Sequence, residues 1–187
     1  MRDYVIPHLF NSYFLGFSVT LTDISTSLIP YIACVNPYLA NYCGAQMEVI
    51  DMGIDADMSW VPGLRSHKLG MGTKNFVEEP AMTREQAIEG IETGIRLVQE
   101  KMADGYNVFL VGEMGISNTT ASALMTAKFA GLTAEEATGR GTNISDERLK
   151  LKQRIVHDVL VKYKDIPKDD AIGILAAVGG FEFTCIV

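Results

Sequence analysis

The chain has 187 residues, 48% of them hydrophobic and 21% charged, with 16 Lys and Arg against 23 Asp and Glu for a formal net charge of −7. This is enough apolar material for a packed core and excludes a wholly disordered or fibrous chain. An acidic balance also argues against nucleic acid as a partner, but small phosphate-bearing molecules stay open, because backbone N–H groups hold phosphate without net positive charge.

Charge is unevenly spread: residues 1–43 carry three charged side chains (Arg2, Asp3, Asp23), and residues 44–187 carry the other 36. The stretches 4–22 and 24–47 are uncharged, so a membrane anchor has to be weighed. A spanning helix needs about 20 predominantly apolar residues, whereas Pro7, His8 and Asn11 interrupt the first stretch and Pro30, Asn36, Pro37 and Asn41 the second. A secretory signal fits poorly, with Arg2 beside Asp3 and no small-residue cleavage site. Cys34, Cys43 and Cys185 have no metal-ligand spacing and are too few for a disulfide framework, so the expected setting is reduced and cytoplasmic.

From residue 44 a regular pattern begins. Gln46–Ile54 reads as a strand ending at Gly53, and residues 63–72 as a loop rich in Gly and basic residues. Thr83 and Gln86 have capping-box spacing, followed by apolar residues at helical intervals from Ala87 to Met102 and a stop at Gly105. Asn107–Val111 is a continuous apolar run, the pattern of a strand covered on both faces. The glycine-bearing turn Gly112–Thr120 follows, and then a helix to about Ala130. Thr133 with Glu136 starts a short helix that stops at Gly139-Arg140-Gly141-Thr142; Ser145 caps a long one to about Lys164; and 168–178 is a last helical run before Gly179-Gly180. Strands alternating with helices imply an α/β fold, three-layered, with a mainly parallel sheet flanked by helices in the Rossmann-like manner.

In such a sheet ligands bind beyond the carboxyl ends of the strands, where the 112–120 turn lies. Its spacing matches neither a dinucleotide fingerprint nor a P-loop. The turn leads onto a helix N-terminus, which favours an anion, although the glycines could serve only a tight turn with Asn118 or Thr119 as the cap. Glu113, at the top of the strand, could accept a hydrogen bond from a heterocyclic N–H or stabilise developing positive charge; a solvated loop acid is the alternative. Lys152 falls inside the apolar stripe Leu149, Ile155, Val156, Val159, Leu160 and Tyr163, and an inward lysine calls for an anionic partner. Lys152 and the 139–142 turn could therefore converge on one phosphate, unless the lysine merely snorkels. His157 lies on the polar face and reads as exposed; His8 and His67 have no neighbours suggesting a metal site.

Together the segments GAQMEVIDMGID (44–55), LGMGTKNFVEEPAMT (69–83), GEMGISNTT (112–120), GRGT (139–142) with Lys152, and AAVGGFE (176–182) resemble the nicotinate-nucleotide:dimethylbenzimidazole phosphoribosyltransferases of cobalamin biosynthesis. The resemblance implies transfer of a 5-phosphoribosyl group from nicotinate mononucleotide to 5,6-dimethylbenzimidazole, with no metal or other cofactor, in a homodimer. It further implies that Glu113 lies against the benzimidazole in a substrate site formed with Met114, Gly115, Ile116, Gly141, Thr142 and Lys152, where Gly115, Ile116, Gly141, Thr142 and Lys152 surround the nucleotide phosphate. Members of that family are longer, and the glutamate regarded as their catalytic base lies in a C-terminal part beyond these segments, so no residue here is assigned as catalytic. The expectation is of a chain truncated at both ends. Residues 1–43, which bear no likeness to the helix expected before Gly44, are expected to be unrelated or out-of-frame sequence, and 44–187 a partial phosphoribosyltransferase core. A chain that only retains nucleotide or benzimidazole binding, without catalysis, is the competing expectation.

Overall fold

A computed structural model of the chain describes residues 12–16, 40, 42, 44–113, 118–141 and 144–187. Its strands are β1 (Ser12–Gly16), β2 (Gln46–Asp51), β3 (Leu64–Ser66) and β4 (Val108–Gly112). They form one sheet in the order β3-β2-β1-β4, every neighbouring pair parallel. The helices are α1 (Arg84–Ala103), α2 (Thr119–Ala130), α3 (Ala134–Ala137), α4 (Asp146–Lys162), α5 (Ala171–Val178) and α6 (Phe181–Ile186). The α/β architecture with a parallel sheet and flanking helices is the one the alternation of patterns implies.

The capping signals give the helix starts. Thr83 and Thr133 each close a full capping box, with Gln86 and Glu136 respectively, and Ser145 accepts from the Arg148 N–H at the head of α4. α2 ends on Gly131 in the left-handed region, φ +69°, which a side chain would resist. β2 stops because the buried Asp51 carboxylate turns back on the chain, accepting the Gly53 and Ile54 N–H groups at 2.9 and 2.8 Å, while Lys68 Nζ pairs with it at 2.9 Å.

Four features depart from the pattern. The loop read over 63–72 contains the short edge strand β3, too brief to show periodicity. β1, in an uncharged stretch with no strand signal, sits between β2 and β4. β4 lies at the sheet edge, so Leu110 and Val111 are each half exposed rather than covered on both faces. Finally, Phe181–Ile186 forms α6, and two glycines of α1 explain its docking: a Cβ at Gly90 would strike Thr184, and one at Gly94 the Cys185 carbonyl.

The core has two lobes joined by α5. Leu175 and Ala176 pack with Ile50, Met52, Met82, Ala87, Leu97 and Phe181. Ile174, Ala177 and Val178 pack with Ala123, Leu124, Ala134, Val156 and Val159. The Ala176 and Ala177 carbonyls at the end of α5, which lack intrahelical donors, accept from Met82 and Ala81 N–H, both at 3.0 Å. Among the described residues no helix is long and apolar enough to cross a membrane.

Candidate functional site

Because all four strands run the same way, the chain after β2, after β3 and after β4 emerges on one edge of the sheet. The Phe181 ring abuts Gly53 and Gly70, which follow β2 and β3, and so seats the N-terminus of α6 on that edge. The helix that follows β4, α2, begins there too. Three polar groupings meet along this line.

The first is built on Glu113, the residue after β4. Its half-buried carboxylate accepts a hydrogen bond through Oε2 from Asn118 Nδ2 at 2.6 Å. The same nitrogen donates to Glu182 Oε1 at 3.1 Å. Glu182 is only 1% exposed, and it fits because position 180 is glycine: a Cβ there would lie on the Glu182 carboxylate.

The second is built on Lys152 of α4. Its ammonium donates to Thr119 Oγ1 at 2.8 Å and to the Gly139 carbonyl at 3.2 Å. Gly141 stands beside them with φ +63°, and a Cβ on it would be 3.2 Å from Thr119 Oγ1 and 3.8 Å from Lys152 Nζ. Residues 33 and 13 positions away in sequence thus converge on one ammonium group. Among the described residues no carboxylate serves as the anionic partner expected for an inward lysine: Lys152 makes no ion pair there, only bonds to a hydroxyl and a carbonyl. Burial alone pushes the ammonium below the usual lysine range. A positive charge held against a desolvation cost by neutral groups is poised for an anion.

The third is the N-terminus of α2, which joins the other two. Asn118 at the cap position makes no side-chain bond to the helix N–H groups, and no acidic residue occupies the first turn. That leaves the helix end with the partial positive charge that suits a phosphate. Consecutive residues therefore touch both halves: Asn118 binds the carboxylate Glu113, and Thr119 binds the ammonium Lys152.

Of the residues expected from sequence, Glu113, Gly141 and Lys152 are brought to this one edge. Met114, Gly115, Ile116 and Thr142 lie outside the described residues. Sequence reasoning missed Asn118 as a donor to two acids, Thr119 as the lysine's acceptor, and Glu182. All three lie inside the motifs GEMGISNTT and AAVGGFE, but an asparagine before a helix reads as a cap, and nothing local links residue 118 to residue 182. His157 is exposed and faces Asp158, Nδ1 to Oδ1 3.2 Å, away from these groupings, as its phase on α4 implies.

A phosphoribosyltransferase family model matches residues 25–187. Nicotinate-nucleotide–dimethylbenzimidazole phosphoribosyltransferase of Geobacter sulfurreducens is 45% identical over 148 residues, which is 79% of this chain and 42% of the relative. The protein of the same name from Chloroflexus aggregans is 42% identical over 144 residues, covering 77% and 40%. Among solved structures, CobT from Thermus thermophilus superposes with a TM-score of 0.80 at 26% identity, over 95% of this chain and 56% of that one. The chain thus spans less than half the length of the curated relatives it matches.

Proposed function

The chain belongs to the phosphoribosyltransferase family, and on that premise we propose that its site serves phosphoribosyl transfer from nicotinate mononucleotide to 5,6-dimethylbenzimidazole. In that reaction an imidazole nitrogen of the base attacks C1′ of the ribose from the face opposite the nicotinate. The C1′–N bond to nicotinate breaks, the configuration inverts, and the proton on the other imidazole nitrogen is released, giving α-ribazole 5′-phosphate, nicotinate and a proton.

The observation that carries this reading is the convergence of Lys152, Thr119 and the Gly139–Gly141 turn on the open N-terminus of α2, one residue from the group that holds Glu113. An anion docks at one end of such a site and an N–H-bearing heterocycle at the other. As the C1′–N bond breaks, positive charge grows on the ribose between them, where a fixed carboxylate lowers the barrier. Fixing the phosphate also orients C1′ toward the base. Met114, Gly115, Ile116 and Thr142 complete the phosphate and base contacts in this reading. The reading also takes the protein to be a cytoplasmic homodimer with a Rossmann-like core, using no metal or other cofactor. Residues 1–43 contribute a strand to the sheet through β1 but no group to the chemistry in this reading.

The test is incubation of folded chain with nicotinate mononucleotide and 5,6-dimethylbenzimidazole, with products separated by chromatography and binding measured on the same samples. Equimolar α-ribazole 5′-phosphate and nicotinate are expected. Binding of both substrates without product would refute transfer by this chain and leave it a binding protein for the same ligands.

A further inference from the structure

Asn118 occupies the position from which asparagine ordinarily caps a helix by accepting a backbone N–H through its side-chain oxygen. Here it forgoes that bond. Its backbone is helical, φ −101° and ψ −3°, and its side chain points its nitrogen at two acids from different elements. An amide nitrogen has two hydrogens, and each has its own carboxylate, Glu113 Oε2 and Glu182 Oε1. Turning the amide over would set its oxygen against both carboxylates, so the orientation is fixed by charge. Among the described residues the oxygen Oδ1 is left buried with no hydrogen-bond partner. The amide gives up both a cap and an acceptor contact to keep its two donors where they are.

The two acids are not equivalent. Glu182 is enclosed, with Gly180 packed on its carboxylate and the Phe181 ring next to it in α6 buried on Gly53 and Gly70. Glu113 follows the edge strand β4 and is only half-buried. We propose that Asn118 is a positioning residue: anchored on Glu182, it holds the Glu113 carboxylate in the orientation that receives the N–H of the aromatic base. This rests on the reading that Glu113 faces the base. It goes beyond that reading by assigning the rotational setting of the carboxylate to an Asn118–Glu182 clamp that spans α2, α6 and β4.

The test has a ligand-free arm and a binding arm. In ¹⁵N-resolved spectra of the chain alone, Glu113→Gln moves one proton resonance of the Asn118 side-chain amide and Glu182→Gln moves the other; if neither moves, the clamp does not exist. For binding, Asn118→Asp removes both donors, and the pair Asn118→Asp with Glu182→Gln restores one hydrogen bond between α2 and α6 while leaving Glu113 facing an acceptor. The pair is expected to regain thermal stability over Asn118→Asp and to bind 5,6-dimethylbenzimidazole at least tenfold more weakly than the parent. Recovery of base affinity along with stability would show that Asn118 only ties two helices together. A parent chain that binds no 5,6-dimethylbenzimidazole would overturn the reading of the base site itself, and the amide resonances would still decide the clamp.

Discussion

Lys152 Nζ lies 2.8 Å from Thr119 Oγ1, joining the middle of α4 to the first residue of α2 with no described carboxylate in ion-pair reach of the ammonium. The helix that carries the lysine and the helix that offers its N–H groups are thereby fixed to one another before any ligand arrives. Charge-assisted bonds to an ionised partner contribute about 1.5–3 kcal/mol each. Lys152→Met is therefore expected to weaken binding of nicotinate mononucleotide by at least tenfold, checked by calorimetric titration.

The same lysine sets a pH dependence. Burial holds it below the ordinary 10.5, so between its folded value and 10.5 the unfolded chain binds the extra proton. In that window the stability of the parent relative to Lys152→Met rises with pH; below the window the difference is constant. Anion binding runs the other way, because the ammonium is its partner. Phosphate affinity in the parent is expected to fall at a pH below 10.5, a step that Lys152→Met lacks, read by titrations at successive pH values.

Gly139 and Gly141 are two residues apart yet predict opposite outcomes. A methyl at Gly139 meets nothing within 4 Å, so Gly139→Ala should change phosphate affinity little. At Gly141 the left-handed backbone, φ +63°, makes alanine cost about 1–2 kcal/mol, and the methyl would sit 3.2 Å from Thr119 Oγ1. Gly141→Ala should lose both stability and phosphate affinity, measured by urea melts and titration of the two variants side by side.

Much of this arrangement could be read from residue order. The capping boxes at Thr83 and Thr133 marked two helix starts because their partners are three residues away, and Lys152 revealed itself because its stripe is a local property of α4. What stayed hidden depends on distant contacts. β3 is three residues long and exists only by pairing with β2. α6 docks through the absence of side chains at Gly90 and Gly94, and a glycine inside a helix carries no sign of which backbone it admits. Asn118 looked like a cap, and its true partners lie on either side of the site.

The glycine contacts give the sharpest stability prediction. Gly94 faces the backbone carbonyl of Cys185, which cannot swing aside as a side chain would. Gly94→Ala should cost more than the roughly 1–3 kcal/mol of ordinary overpacking, despite the better helix propensity of alanine. Differential melting against Gly63→Ala, whose methyl would meet nothing within 4 Å, separates packing from backbone conformation, since Gly63 has φ +79° and pays only the latter.

In the proposed reading the site has two ends, a phosphate end at Lys152 and a base end at Glu113, joined by consecutive residues Asn118 and Thr119. The most direct measurement follows the ³¹P resonance of nicotinate mononucleotide, and in parallel the fluorescence of 5,6-dimethylbenzimidazole, on titration with parent, Lys152→Met and Glu113→Gln chains. The expected result is a crossed pattern: Lys152→Met abolishes the ³¹P perturbation and spares base binding, and Glu113→Gln weakens base binding and spares the phosphate. Equal loss of both ligands in both variants, or an unchanged ³¹P response in Lys152→Met, would contradict it.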